Sequence, residues 1–171
     1  MHATYDSPLG VLTLTADARG LTALRFPDRG AAPVAARDSA PASLSHAVMQ
    51  LDEYFRGARR RFDVALNLAG TSFQRAVWER LLQIPYGTTT SYGALARELG
   101  RPDRVRAVAA AVGRTPAPIV VPCHRVIGAD GSLTGYGGGL HRKRALLDLE
   151  RRVAAGLEPE PAWAFRQLAL V

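Results

Sequence analysis

Residues 91–113 read SYGALARELGRPDRVRAVAAAVG. Ser91 can cap a short helix beginning at Tyr92, Gly100 stops it, and Pro102-Asp103 open a second helix that runs to Gly113. Helix, short glycine-containing turn, helix is the spacing of a helix-turn-helix, an outline that many αα-hairpins share without touching nucleic acid. The second helix narrows the choice. Ala107, Ala109, Ala110 and Ala111 give it little bulk, so its backbone can approach a surface closely, and Arg104 and Arg106 stand in its first turn. Further on, Arg125-Val126-Ile127 and Ser132-Leu133-Thr134 flank Gly128-Ala129-Asp130-Gly131, a hairpin signal that extends the outline to a winged helix-turn-helix.

Working outward, Thr71 or Ser72 can cap a helix reaching about Gln83, with Phe73, Val77, Leu81 and Ile84 on one side, before Pro85-Tyr86-Gly87 ends it. Residues 116–122 are too rich in proline for a central strand and predict an extended, buried connector. A final helix is expected from about His141 to Arg152. Upstream, residues 11–15 and 21–26 read as strands around a turn, and residues 27–41 as a linker. Leu44, Ala47, Val48, Leu51 and Phe55 recur at helical spacing, with Ser43 available as an N-cap. Phe62, Val64, Leu66 and Leu68 alternate with polar or small residues, the pattern of a half-buried strand. The chain is thus predicted to be α+β, with a small N-terminal unit over 1–69, a helical unit over 70–155 and a tail over 156–171. The tail's Pro159, Pro161, Trp163 and Phe165 are expected to pack back on the body.

Composition bounds the function. Of 171 residues, 47% are apolar and 22% charged, which describes a globular chain and not a disordered one. No apolar run approaches the ~20 residues of a membrane helix, and no basic patch followed by an apolar stretch opens the chain, so a cytoplasmic protein with no membrane partner is expected. A single cysteine excludes an internal disulfide framework and a cysteine-rich zinc site. His2, His46 and His141 show no ligand spacing, so no metal is expected. Residues 135–139 fail the dinucleotide fingerprint because Leu140 stands where its last glycine belongs, so no cofactor is expected either. The net charge is +7, and residues 70–155 carry all of it, since the flanking segments come to +1 and −1. That bias fits a polyanionic partner, nucleic acid foremost, and fits equally an arginine-rich chain that is merely basic.

Cys123 lies in Ile119-Val120-Val121-Pro122-Cys123-His124-Arg125-Val126. A lone cysteine among valines is most often an inert buried residue. The alternative is a nucleophile: a free thiol near pKa ~8.5 is largely protonated at pH 7, and an adjacent base or cation can lower that value. His124 supplies a base and Arg125 a positive charge. Neighbouring side chains in an extended segment diverge, so a water or a third group is needed to bridge them.

The stretch Pro122-Cys123-His124-Arg125-Val126-Ile127-Gly128, followed by Gly135-Tyr136-Gly137-Gly138-Gly139 and Arg142-Lys143, closely resembles the O6-alkylguanine-DNA alkyltransferase family. The resemblance spans roughly residues 71–152 and includes Phe73-Gln74, Val77-Trp78, Ile84-Pro85-Tyr86-Gly87, Ser91-Tyr92 and Arg106-Ala107-Val108. It implies that residues 1–69 form the family's ribonuclease H-like α/β domain. It further implies a repair protein acting on double-stranded DNA that contains O6-alkylguanine, and O4-alkylthymine as a further substrate. In such a protein the base is flipped out, and Cys123 takes the alkyl group once, irreversibly and stoichiometrically. A monomer suffices for that task. By resemblance, His124 relays the thiol proton through a water toward Glu150, and Tyr92 donates toward the base N3. Main-chain carbonyls near Cys123 and Val126 read the guanine amino group, Tyr136 walls the pocket and Lys143 holds its loop. Arg106 fills the gap left by the base. Docking by a helix-turn-helix alone would put its second helix in the major groove. The family instead uses the minor groove, which suits a lesion that can occur in any sequence.

The chain departs from the family at Thr115-Pro116, where an asparagine commonly precedes the proline and ties the helix-turn-helix to the active-site segment. Thr115 keeps a hydroxyl with shorter reach. Ala109-Ala110 also replace a glycine-rich pair.

Overall fold

The computed structural model describes residues 1–27 and 42–159, and the Ser43 side chain, residues 28–41 of the expected linker and residues 160–171 of the tail lie outside the described part. Three antiparallel strands, β1 (His2–Ser7), β2 (Gly10–Asp17) and β3 (Gly20–Arg25), lie in that order. The sequence reading missed β1, whose apolar content is thin; it forms because His2 to Ser7 pair with Gly10 to Thr15 of β2, Ala3 opposite Leu14 and Tyr5 opposite Leu12. Helix α1 (Ala42–Phe55) covers one face, burying Leu44, Ala47, Leu51, Tyr54 and Phe55 against Leu12, Leu14, Leu21 and Leu24.

Residues 62–68 correct one expectation. They form no strand ladder, only a single parallel bridge in which Leu21 N donates to Ala65 O at 2.8 Å and Asn67 N donates to Leu21 O at 2.9 Å. The alternation remains, with Phe62, Val64, Leu66 and Leu68 half-buried and Asp63 and Ala65 exposed. The periodicity therefore reports the pleat of an extended chain lying on a core, which needs no continuous partner strand.

The second half is helical. Thr71 caps α2 (Ser72–Leu81) in a reciprocal box with Gln74, and Val77, Trp78 and Leu81 are buried. Trp78 Nε1 donates to Ala111 O at 2.9 Å, fastening α2 to the helix-turn-helix. Strand β4 (Thr90–Ser91) leads into α3 (Tyr92–Glu98), which Ser91 caps through Ala94 N, and Gly100 turns the chain at φ +67°. The next helix, α4 (Val105–Gly113), starts later than Pro102, because residues 101–104 close a turn of their own, with Arg104 N donating to Arg101 O at 2.9 Å. Arg104 is thus the N-cap and not a first-turn residue.

Two further expectations change. Residues 116–122 are buried but not extended: Val121 N donates to Ala117 O at 2.9 Å, and Ile119 takes φ +76°. The hairpin over 125–134 is a turn without a ladder. Gly128 N donates to Ser132 O at 2.8 Å, but β5 (Val126–Ile127) pairs in parallel with β4 instead of with residues 132–134. The parallel pair ties the segment after Cys123 to the start of α3. Helix α5 (Leu140–Ala154) closes the described chain; Ala145, Leu146, Leu149 and Val153 complete the core of the sheet unit together with Ala117, Ile119 and Val120. Among the described residues no helix is long and apolar enough to cross a membrane.

Gly20 bears a steric constraint in this arrangement. Its φ is +150°, and a Cβ there would lie 2.4 Å from Ala65 O. Gly113 has open space around it. Gly20→Ala is expected to lower stability by about 1–3 kcal/mol, whereas Gly113→Ala is neutral or slightly stabilising, as read from urea midpoints.

Candidate active site

Pro122 leads into a single 3-10 turn, Cys123–Arg125, in which Cys123 N donates to Val121 O at 2.8 Å and Arg125 N donates to Pro122 O at 3.1 Å. With three residues per turn, successive side chains point about a third of a revolution apart. Cys123 joins the core formed with Val77, Leu95, Val108 and Val126 and is only 5% exposed, whereas His124 and Arg125 face α5 and are also buried. The turn replaces the extended segment that the sequence suggested, and it lets a third group meet two consecutive side chains.

That group is the Glu150 carboxylate. Its Oε1 meets His124 Nε2 at 2.8 Å and accepts from Arg125 NH2 at 2.8 Å and from the Tyr54 hydroxyl at 2.8 Å. Its Oε2 accepts from Arg125 Nε at 2.9 Å and from Gly87 N at 3.1 Å. Burial pushes the carboxyl upward, but His124 and Arg125 outweigh it and hold Glu150 well below the usual carboxylate range. Burial also lowers His124 below its ordinary value, with Glu150 pulling the other way. The imidazole is therefore neutral at pH 7. Its Nδ1 is buried and, among the described residues, has no hydrogen-bond partner.

The Cys123 thiol is pushed up to about 11, first by burial, while a hydrogen bond with the Thr115 side chain and the Lys143 charge pull it down. Arg125, the positive charge expected to act on the thiol, is turned away from it and from the surface. Its guanidinium is buried on Glu150, on Ile84 O at 2.6 Å and near the Tyr86 ring, so the cation that bears on the thiol is Lys143. Burial brings Lys143 down to about 8, still charged at neutral pH, and its Nζ donates to Val126 O at 2.5 Å and Thr134 O at 2.8 Å. The Val126 carbonyl is thus occupied by Lys143. The Tyr92 hydroxyl donates to the same Thr134 O at 3.0 Å.

The Tyr136 loop rests on the N-terminal unit. Phe26 meets Tyr136 edge-on with ring centroids 6.0 Å apart, and Arg142 lies over Phe26 while donating to Leu9 O and Gly138 O. The Tyr136 hydroxyl is buried without a partner among the described residues. Thr115 Oγ1 donates to Val112 O at 2.7 Å, so one hydroxyl joins the end of α4 to the thiol. Arg106 lies apart from this cluster, exposed on α4 with Ala107, Ala110, Gly113 and Arg114. Sequence reading missed Tyr54, Phe26 and Arg142. Each carries an ordinary core or surface signature, and only Tyr54's helical spacing from Leu51 marked it as inward-facing.

Two family models cover most of the chain: the ribonuclease-like domain of 6-O-methylguanine DNA methyltransferase matches residues 1–68, and its DNA binding domain matches residues 72–152. The methylated-DNA–protein-cysteine methyltransferase of Mycobacterium tuberculosis (strain ATCC 25618 / H37Rv) is 52% identical over 151 residues, spanning 88% of this chain and 92% of that one. The protein of that name from Methanosarcina acetivorans is 44% identical over 152 residues, 87% of this chain and 97% of its own. A crystal structure of Mycobacterium tuberculosis OGT in complex with DNA superposes with a TM-score of 0.79 at 50% identity, covering 89% of this chain and 93% of the other. A ribonuclease-like unit followed by a DNA-binding unit is the class of protein these matches define. The chain belongs to the methylated-DNA–protein-cysteine methyltransferase family.

Acid should test the buried cluster. Glu150, held low, contributes stability that is complete above its unfolded value of about 4.3 and is lost as pH falls. His124, also held low, leaves the unfolded chain to take the proton first below about 6.5, which lowers stability in the same direction. The urea midpoint is expected to fall steadily from pH 7 to pH 4. Glu150→Gln should cost about 3–5 kcal/mol at pH 7, because Arg125 stays buried without its counterion, and should flatten the lower part of the slope.

Proposed function

We propose that this chain repairs DNA by moving the alkyl group of O6-alkylguanine, and of O4-alkylthymine, onto its own Cys123. The observation that carries the reading is a buried thiol followed in the chain by a buried, neutral His124 whose Nε2 is held by Glu150 and whose Nδ1 has no partner among the described residues. A protonated thiol near 11 is a poor nucleophile, so the displacement needs its proton taken as attack proceeds. A water between Sγ and Nδ1 completes that path. Glu150 then stabilises the imidazolium, as the orienting member of a nucleophile–base–orienter set does.

The step balances without an oxidant or reductant. The sulfur lone pair forms the S–C bond, the bond from alkyl carbon to O6 breaks, and its electron pair stays on the base, which takes up one proton. The products are unmodified guanine and a thioether on Cys123. With a single cysteine in the sequence no second thiol exists on the chain, and a thioether does not exchange as a disulfide does, so each molecule acts once. Tyr92, which donates to Thr134 O in the resting chain, turns that hydroxyl toward the base N3 and spreads the developing charge. Lys143 keeps the Thr134 to Tyr136 segment in place.

The slim outer face of α4 fits the narrow minor groove, where Arg106 enters the stack in place of the extruded base. Flipping costs a few kcal/mol, and a side chain that fills the gap offsets part of it.

Intact-mass measurement after incubation with an O6-methylguanine duplex should show a stoichiometric gain of one methylene on Cys123. Cys123→Ala should show no gain and keep its DNA affinity, because the thiol contacts no phosphate. Transfer by that variant would refute the nucleophile. Arg106→Ala should slow repair of duplex roughly tenfold or more, yet leave the reaction with free O6-benzylguanine nearly unchanged, since only duplex requires extrusion. Equal losses on both substrates would rule out the stack-filling role.

A further inference from the structure

Tyr54 belongs to α1, in the N-terminal unit where no candidate site residue was expected, yet its hydroxyl reaches the buried Glu150 cluster. The side chain is fully buried, and its ring packs against Phe55, Phe62 and Tyr86. Packing alone would be served as well by phenylalanine. The hydroxyl instead donates to Glu150 Oε1 at 2.8 Å, the oxygen that meets His124 Nε2 at the same distance.

We propose that Tyr54 is a positioning residue of the alkyl-transfer site, its hydroxyl regulating through Glu150 how readily His124 accepts the thiol proton. The inference rests on the reading of Cys123 as the alkyl acceptor and of His124 as its base. A carboxylate oxygen shared among donors divides its charge among them. Each hydrogen bond that Tyr54 gives to Oε1 weakens what that oxygen offers to the imidazolium. The hydroxyl also fixes Oε1 in the plane that Nε2 requires, so the base keeps one tautomer, with the proton on Nε2 and the lone pair on Nδ1 toward the thiol.

Among the described residues, other charged and titratable groups face this pair from several elements. Arg125, on the 3-10 turn, holds both Glu150 oxygens. Lys143, from α5, is held by loop carbonyls, and Cys123 precedes His124. Tyr86, between α2 and β4, and Tyr136, on the loop, also feel the Glu150 charge. Tyr54 is the member of the set that comes from the N-terminal unit and touches the carboxylate directly. It is also a donor that stays protonated throughout the working range, since burial and Glu150 push its hydroxyl well above its ordinary value.

The test is the second-order rate of Cys123 benzylation by free O6-benzylguanine, followed by intact mass between pH 5 and pH 9, for the full chain and for Tyr54→Phe. The rate falls on the acid side as His124 takes a proton. Without the Tyr54 hydroxyl, Glu150 holds the imidazolium more tightly, and that limb should move to higher pH by roughly half a unit or more. A loss of packing would scale the rate by one factor at every pH and leave the limb in place. Site-specific 3,5-difluorotyrosine at position 54 keeps the ring and strengthens the donor, so its limb should move to lower pH; it serves also if Tyr54→Phe does not fold. Limbs that coincide with wild type, or that shift in the opposite senses, overturn the proposal. A wild-type chain that gains no benzyl group refutes the acceptor reading itself and takes this inference with it, whereas a reactive wild type with unmoved limbs refutes this inference alone.

Discussion

The constraint on which the rest depends is a carboxylate placed where water cannot reach it. Burying a carboxylate costs several kcal/mol even after relaxation, and one ion pair does not reliably repay that. Glu150 is stabilised by five donated or shared hydrogen bonds, two of them from one guanidinium. Bidentate, charge-assisted bonds of that kind are the strong ones. Their sources are scattered through the chain: Tyr54 on α1, Gly87 after α2, and His124 and Arg125 on the 3-10 turn. The cluster that holds His124 is therefore also a clasp that fixes three segments against α5.

Helix α5 acts as the spine of the molecule. Its apolar stripe of Ala145, Leu146, Leu149 and Val153 completes the core beneath the sheet. Lys143 and Glu150 lie seven residues apart, two turns and about 10 Å along one face. One holds β5 and the loop near Tyr92; the other holds the turn that carries Cys123. Cys123 feels the Lys143 charge, so a single helix supplies both the cation near the sulfur and the anion bonded to His124. Because these groups are locked by packing and hydrogen bonds before any substrate arrives, little reorganisation is needed when charge develops.

The departure at Thr115 is absorbed by a shorter link of the same kind. Its hydroxyl donates to Val112 O at the end of α4 and is among the groups that pull the thiol down, so Thr115 lies between that helix and the sulfur. Arg106 and the alanines beside it stay on the outer surface, clear of the buried cluster. The exposed face of this thin helix and the core that holds Cys123 are thus on opposite sides of it.

Helix periodicity, the Thr71 and Ser91 caps and the stop at Gly100 are local properties, and they were legible because side-chain spacing and capping act over three or four residues. The unusual run around Cys123 was legible for the same reason, since its neighbours in sequence are also its neighbours in the 3-10 turn. What sequence could not convey were pairings set by distant partners. Residues 62–68 alternate like a strand yet find a single bridge, and Val126-Ile127 choose a parallel partner 36 residues upstream over the nearby hairpin. Arg125, expected as a cation for the thiol, became the counterion of Glu150, while Tyr54, absent from the candidate residues, proved to be a donor to it. The sequence by itself determined which residue types were available and which segments coil. Only the tertiary structure decided which charge each polar group would meet, because a buried polar atom must be satisfied by whatever the packed chain brings within about 3 Å of it.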